Sequence, residues 1–128
     1  MSVQPLDDHD QEMPAPQGHA IGFANSKAIC DEIVEALNAA DVPDSAMTVL
    51  SGEDGIHLLK RMMGGSLWGE TAENVMNQGV IELNHGHFAI IVETKNRDEA
   101  VIAANIATAH GGHSFNHFGV LSDERLTK

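Results

Sequence analysis

Apolar and polar positions along this chain follow two periods, and the same order of segments occurs twice. In the first unit, the apolar run over 19–24 predicts a buried strand. An apolar stripe with a four-residue period from Ile29 to Leu37 predicts a helix, and Asn25 or Ser26 is placed to cap its start. Pro43 ends this helix because its ring cannot continue the hydrogen-bond ladder, and the run over 46–50 predicts a second strand.

The second unit repeats this order. The continuous apolar and β-branched run over 88–93 predicts a central strand. Asn96 is placed to cap the helix that follows, and Gly111 and Gly112 are placed to stop it. One face of that helix consists of small residues, namely Ala100, Ala103, Ala104 and Ala107. A strand over 115–121 completes the unit.

Two strand–helix–strand units in tandem predict a ferredoxin-like α+β fold, with a four-stranded antiparallel sheet and two helices on one face. We expect residues 18–128 to form this single domain. Residues 1–17 are acidic and proline-rich with few large apolar groups, which predicts a flexible tail. The units are separated by an insert over 52–84.

The insert has a helical pattern over 54–63 and a second one over 71–77 that Gly79 is expected to end. The predicted strands are apolar on both sides, so the sheet face opposite the two unit helices must also be covered. Either the insert or a second copy of the chain can cover it. The second possibility is the physical argument for a homodimer.

The excess of acidic residues disfavours some classes of binding partner. The chain has 128 residues, of which 19 are acidic and 7 are basic, so its formal net charge is −12. Such a surface repels phosphate backbones and anionic lipid, which disfavours nucleic-acid and membrane partners. The first 17 residues lack the apolar run of a secretory signal, so we expect a cytoplasmic protein. Cys30 is the single cysteine, which excludes a disulfide within the chain.

Histidine is the strongest chemical signal. The chain has eight, and the C-terminal part holds five candidate ligands, which are His85, His87, His110, His113 and His117. Neutral imidazole binds zinc, copper, iron and nickel. In the predicted fold the segment after the second helix returns toward the start of the third strand, so these histidines can approach one another. A transition-metal or small-ligand site on them is one alternative for function.

Other motifs favour no reaction. Ser114 can be written as a nucleophile with His113 or His117 as its base and Asp123 as the orienting acid, but the chain has no Gly-x-Ser-x-Gly elbow. The glycine-rich segment over 64–69 lacks the Lys-Ser/Thr ending of a phosphate-binding loop. We therefore assign no catalytic residue and expect a protein that is not an enzyme. A small enzyme with its site on the open sheet face remains the second alternative, by analogy of fold.

A set of short motifs in the second unit resembles a family. The motifs are Gly86-His87, Arg97-Asp98-Glu99-Ala100, Ala109-His110-Gly111-Gly112-His113, His117-Phe118-Gly119 and Glu124-Arg125-Leu126. They are similar to a group of small uncharacterised bacterial proteins akin to the general stress protein 17M-like domain, over residues 18–126. The resemblance implies a ferredoxin-like fold and a bacterial, cytoplasmic, stress-associated setting. It implies no catalytic residue, and the function we expect is that of a dimeric interaction domain.

Overall fold

A computed structural model of the chain describes residues 3–6, 17–64, 70–118 and 123–125. Its strands are β1 (His19–Ala24), β2 (Met47–Ser51), β3 (Phe88–Glu93), β4 (His113–Phe118) and β5 (Asp123–Arg125). Its α-helices are α1 (Lys27–Ala39), α2 (Gly52–Gly64), α3 (Glu70–Asn84) and α4 (Arg97–Ala109). The chain is therefore an α+β protein, as the sequence predicts. Within these ranges, none of the helices is both long and apolar enough to cross a membrane.

The strands form one sheet in the order β2-β3-β1-β4-β5, and each neighbouring pair is antiparallel. The predicted strands over 19–24 and 88–93 are confirmed residue for residue as β1 and β3. β2 begins one residue later than predicted, at Met47. β4 begins two residues earlier than predicted, at His113, because this residue already pairs with Phe23 of β1. The predicted end of β4, over 119–121, lies outside the described residues.

The predicted caps fix where the unit helices begin. Ser26 Oγ accepts a hydrogen bond from the backbone N–H of Ile29 at 3.2 Å and caps α1. Asn96 Oδ1 accepts one from the N–H of Glu99 at 2.9 Å and caps α4. The Glu99 carboxylate accepts from the backbone N–H of Lys95 at 3.1 Å, so two backbone donors at this end of α4 are satisfied by side chains.

Both sheet faces are covered by helices. On one face α1 and α4 pack over a core that includes Cys30, Ile33, Leu37, Val49, Ile90, Val92 and Phe115. On the other face α2 and α3 pack over a core that includes Ile21, Phe23, Leu50, Leu58, Leu59, Ile91 and Phe118. The insert, rather than a second copy, therefore covers the second face. The physical argument for a homodimer on this surface no longer applies.

The prediction that Gly79 ends a helix is wrong, because α3 continues through it to Asn84. A Cβ at Gly79 would overlap Leu59 Cδ2 of α2 and lie 3.5 Å from Phe23 Cε1 of β1. The glycine is thus the point at which α3 approaches both α2 and the sheet. A glycine is needed at position 79 for close packing against Leu59 and Phe23, which are distant in sequence, and not to end the helix.

β4 contains a bulge that determines which face its side chains occupy. Ile21 pairs with Asn116 and Phe23 pairs with His113, so two steps along β1 oppose three along β4. Within the bulge, Ser114 has a φ of 59°. As a result His113 lies beside Phe23 on the α2–α3 side, whereas Phe115 packs in the α1–α4 core.

The N-terminal segment reaches the outer edge of the sheet. Pro5 makes an isolated parallel bridge to Val49, and the N–H of Leu6 donates to the carbonyl oxygen of Val49 at 3.0 Å. Residues 3–6 of the predicted tail therefore lie along β2. Residues 7–16 of that tail lie outside the described residues.

Gly22→Ala is expected to destabilise the protein. The Phe115 ring lies directly against the α-carbon of Gly22, so a Cβ there would overlap three ring atoms. Phe115 is fully buried and cannot move aside freely, and overpacking of this kind costs about 1–3 kcal/mol. Chemical denaturation measures the loss. In a Phe115→Leu background the same substitution should cost clearly less, and equal costs in both backgrounds would contradict the overlap.

Candidate functional site

One carboxylate connects two of the five predicted histidines. The Nδ1 atom of His87 lies 2.6 Å from Oε1 of Glu82, and the Nε2 atom of His113 lies 2.8 Å from Oε2. Gln78 Nε2 donates to the same Oε2 at 3.3 Å. His87 immediately precedes β3, His113 begins β4, and both Glu82 and Gln78 lie on α3. The cluster therefore joins the insert to the sheet.

The local sequence explains why these groups meet. His85 and Gly86 form the turn between α3 and β3, and Gly86 has a φ of +80°. This turn reverses the chain so that His87 lies beside the last turn of α3. The bulge at Ser114 places His113 on the same side of the sheet. Without the extra residue of the bulge, His113 would lie on the same face as Phe115, away from α3.

The environment keeps Glu82 ionised. Its side chain is only 13% exposed, and this partial burial pushes the pKa of the carboxyl upward. Hydrogen bonds from His87, His113 and Gln78, together with the charge of His113, outweigh that effect and hold the pKa of Glu82 below its usual value. The carboxylate thus accepts from three side chains at once.

This charge state also determines the histidine tautomers. An ionised carboxylate only accepts hydrogen bonds, so the ring nitrogens facing Glu82 must donate. In the neutral form, His87 keeps Nε2 and His113 keeps Nδ1 as acceptors. Imidazoles oriented by a carboxylate occur in general bases and around metal ions. The chemistry available here is therefore proton exchange and hydrogen bonding at two oriented rings.

Of the other three predicted histidines, His85 lies next to His87 without joining Glu82, and His110 and His117 lie elsewhere. The Nδ1 atom of His85 bonds the carbonyl oxygen of Ile81 at 2.7 Å, and its ring centroid is 6.1 Å from that of His87. His110 pairs with Glu32 of α1, with 2.9 Å between Nδ1 and Oε2. His117 is buried at the sheet, where burial and then the charge of Arg97 hold the pKa of its imidazole below the ordinary value.

The five histidines therefore do not form one centre. Over the ranges that the structure describes, no group of three or more His, Cys, Asp and Glu side chains has the arrangement to hold a metal ion. Of the five predicted ligands, His87 and His113 are the two that meet, and they do so through Glu82. These hydrogen bonds connect α3 to the starts of β3 and β4.

A second feature is a groove on the outer surface of α1 and α4, which we name the acidic groove. Its floor consists of Ala36, Ala39, Ala40 and Ile106, and its rim carries Glu32, Glu35 and His110. The groove is open to solvent and has a volume of about 550 Å³. A separate cavity of about 440 Å³ lies next to it, shares Ala40 in its lining and includes Ile102. Ile102 is 59% exposed, which leaves an apolar side chain on the outside of α4.

Sequence reasoning missed the residues that matter most in both features. Glu82 carries no motif, and its partner His113 is 31 positions away along the chain. Ile102 and Ile106 stand four apart on α4, outside the buried alanine face. That second apolar pair was visible in the sequence, because residues four apart share a helix face. This pair indicates an apolar strip on the outer side of α4, where Ile106 lines the acidic groove and Ile102 the adjacent cavity.

Comparisons with protein-family models, with curated proteins and with solved structures find no match for this chain. A functional assignment therefore rests on the geometry of the histidine cluster and of the acidic groove. The resemblance to the general stress protein 17M-like domain stays a prediction.

Glu82→Gln is expected to lower the free energy of unfolding at neutral pH by about 1–3 kcal/mol, because it removes charge-assisted hydrogen bonds from a partly buried acceptor. Since the pKa of Glu82 is lowered in the folded state, its contribution is present above the unfolded carboxyl value of about 4.3 and is lost as pH falls through the folded value. Urea titrations across this range should show the two proteins converging in acid.

Glu73→Gln is the matched control, because Glu73 is exposed on the same helix. It should leave the stability within a few tenths of a kcal/mol of the wild type. A constant difference between wild type and Glu82→Gln from neutral to strongly acidic pH would show that ionised Glu82 is not the source of the effect.

Proposed function

We propose that this protein is a non-enzymatic interaction module, a ferredoxin-like domain whose acidic groove binds a basic amphipathic segment of a protein partner. The observation that carries the proposal is the groove itself, which has an apolar floor and a carboxylate rim on the exposed side of α1 and α4. Grooves between helices of this kind accept an amphipathic helix through residues spaced three and four apart.

The order of elements supports a ferredoxin-like scaffold. The four longer strands lie in the order β2-β3-β1-β4, and α1 and α4 connect them on the same face. The insert helices and β5 are additions to this plan. Such a scaffold holds α1 and α4 side by side, so the groove between them is set by the packing of two rigid elements.

The second sheet face supports an interaction function rather than an enzyme. A catalytic site there would need a polar cavity on that face. The insert instead fills it with buried apolar side chains, such as Leu58, Leu59 and Met62 against Ile21 and Ile91. This packing occupies the surface on which an open-face enzyme would place its substrate.

The charge determines the chemistry of the partner. The rim residues Glu32 and Glu35 are exposed carboxylates, and the whole chain has a formal net charge of −12. Opposite charge at the rim accelerates association and selects against acidic partners. The occupant is therefore a segment with leucine-like residues toward the floor and lysine or arginine toward the rim. The resemblance of residues 18–126 adds a bacterial, cytoplasmic and stress-associated setting to the proposal.

A labelled peptide of about five helical turns tests the proposal, with leucine on one face and lysine on the other. Its affinity for the protein is measured by fluorescence anisotropy, beside a peptide in which glutamate replaces lysine. We expect the lysine peptide to bind and the glutamate peptide not to bind. On binding, the amide NMR signals of the protein should shift only in α1 and α4. Raising the salt concentration should weaken the binding, because the rim charges are screened.

Two exposed isoleucines give a matched pair of variants. Ile102 and Ile81 are 59% and 60% exposed, so serine at either position should leave the fold stable. Ile102 lies one helical turn from Ile106 of the groove floor and lines the adjacent cavity, which shares Ala40 with the groove. A peptide of about five turns seated in the groove therefore covers Ile102. Ile81 lies on α3, away from the groove. Ile102→Ser should weaken peptide binding about tenfold or more and Ile81→Ser should not. Equal affinities for the two variants and the wild type would overturn the groove as the binding surface.

A further inference from the structure

β2 lies at one edge of the sheet, and edge strands present backbone groups that pair readily with another strand. The N-terminal segment covers this edge through the Pro5–Val49 bridge and the hydrogen bond from the N–H of Leu6 to the Val49 oxygen at 3.0 Å. Val3 packs against the α1–α4 core and Leu6 against the α2–α3 core. The segment thus contacts both helical layers at their shared edge.

The side chains agree with one parallel register. Counting from the Pro5–Val49 bridge places Val3 beside Met47 and Leu6 beside Leu50. Val3 and Met47 belong to the α1–α4 core, and Leu6 and Leu50 belong to the α2–α3 core. Adjacent residues of paired strands share a face, so the contact has the geometry of an added strand.

This contact is weak for its length. Ordering the backbone of residues 3–6 costs conformational entropy at each position. Val3 and Leu6 are only half-buried, and Pro5 has no N–H to donate to the edge. Releasing the segment from the edge therefore costs little free energy, and its release exposes the edge of β2.

We propose that the N-terminal segment of one copy binds the β2 edge of a second copy in this same contact, so that two copies exchange residues 3–6. The occupant is identical in sequence to the segment already seated on the edge, so every contact described for it is available between copies. The eleven Cα–Cα steps from Leu6 to Gln17 can extend over roughly 36–40 Å, so the connection can reach the β2 edge of a second copy that lies alongside. Reciprocal exchange satisfies both edges and closes as a two-fold dimer.

The test mixes two single-cysteine variants, Gln4→Cys and Thr48→Cys. These positions are neighbours in the parallel register, at a separation that suits a disulfide. The native Cys30 does not compete, because burial raises the pKa of its thiol to about 11. We expect mild oxidation of the mixture to give a disulfide-linked dimer on non-reducing gels. Its yield should rise with protein concentration, and with added salt that screens the repulsion between two acidic chains.

Three controls make the outcome decisive. Neither variant alone should form a dimer faster than random collision allows. A mixture of Thr48→Cys with Asn105→Cys, an exposed position on α4, gives the rate of random collision. The double variant Gln4→Cys/Thr48→Cys reports closure within one chain. Rapid closure in the double variant, with no excess dimer in the mixture over the Asn105 control, would overturn the exchange. Failure of the double variant to close would overturn the contact itself.

Discussion

The two central strands are apolar on both faces, and the rest of the molecule is arranged around that constraint. Side chains of β1 and β3 alternate between the two cores, with Ile21 and Ile91 on one side and Ile90 and Val92 on the other. Fully burying each such side chain is worth about 1.5–3 kcal/mol, so neither face can remain in water without a large loss. The helices of the two repeated units cover one face. The insert has to cover the other, and its apolar residues and its close approach at Gly79 follow from that role.

The bulge in β4 places Ser114 in an unfavourable backbone conformation and changes the sheet face that His113 occupies. A serine in the left-handed region is less favourable than in extended backbone by about 1–2 kcal/mol. In a regular strand His113 and Phe115 would share a face, but because of the bulge they lie on opposite faces. Phe115 then fills the space over Gly22, and His113 meets Glu82. The hydrogen bond between His113 and the insert and the packing of Phe115 in the α1–α4 core therefore both depend on the extra residue of the bulge.

Sequence alone predicted the features that depend on neighbouring residues. The strands at His19–Ala24 and Phe88–Glu93 and the caps at Ser26 and Asn96 are local, and the structure confirms them. Gly79 was misinterpreted because a glycine needed for close packing has the same sequence signal as one that stops a helix. The meeting of Glu82 with His113 depends on the bulge and on the path of the insert. Neither has a signature in the spacing of residues.

The sheet acts as a partition between two kinds of surface. Backbone and buried side chains separate the α2–α3 layer, which Glu82 fastens in place, from the α1–α4 layer, which bears the acidic groove. Among the described residues, those that line the groove all lie outside the insert. The length and composition of the insert can thus drift over evolutionary time, as long as its apolar face is kept, without reshaping the groove. The reverse also holds, so that the outer surface of α1 and α4 can change in sequence while the opposite layer preserves the stability of the fold.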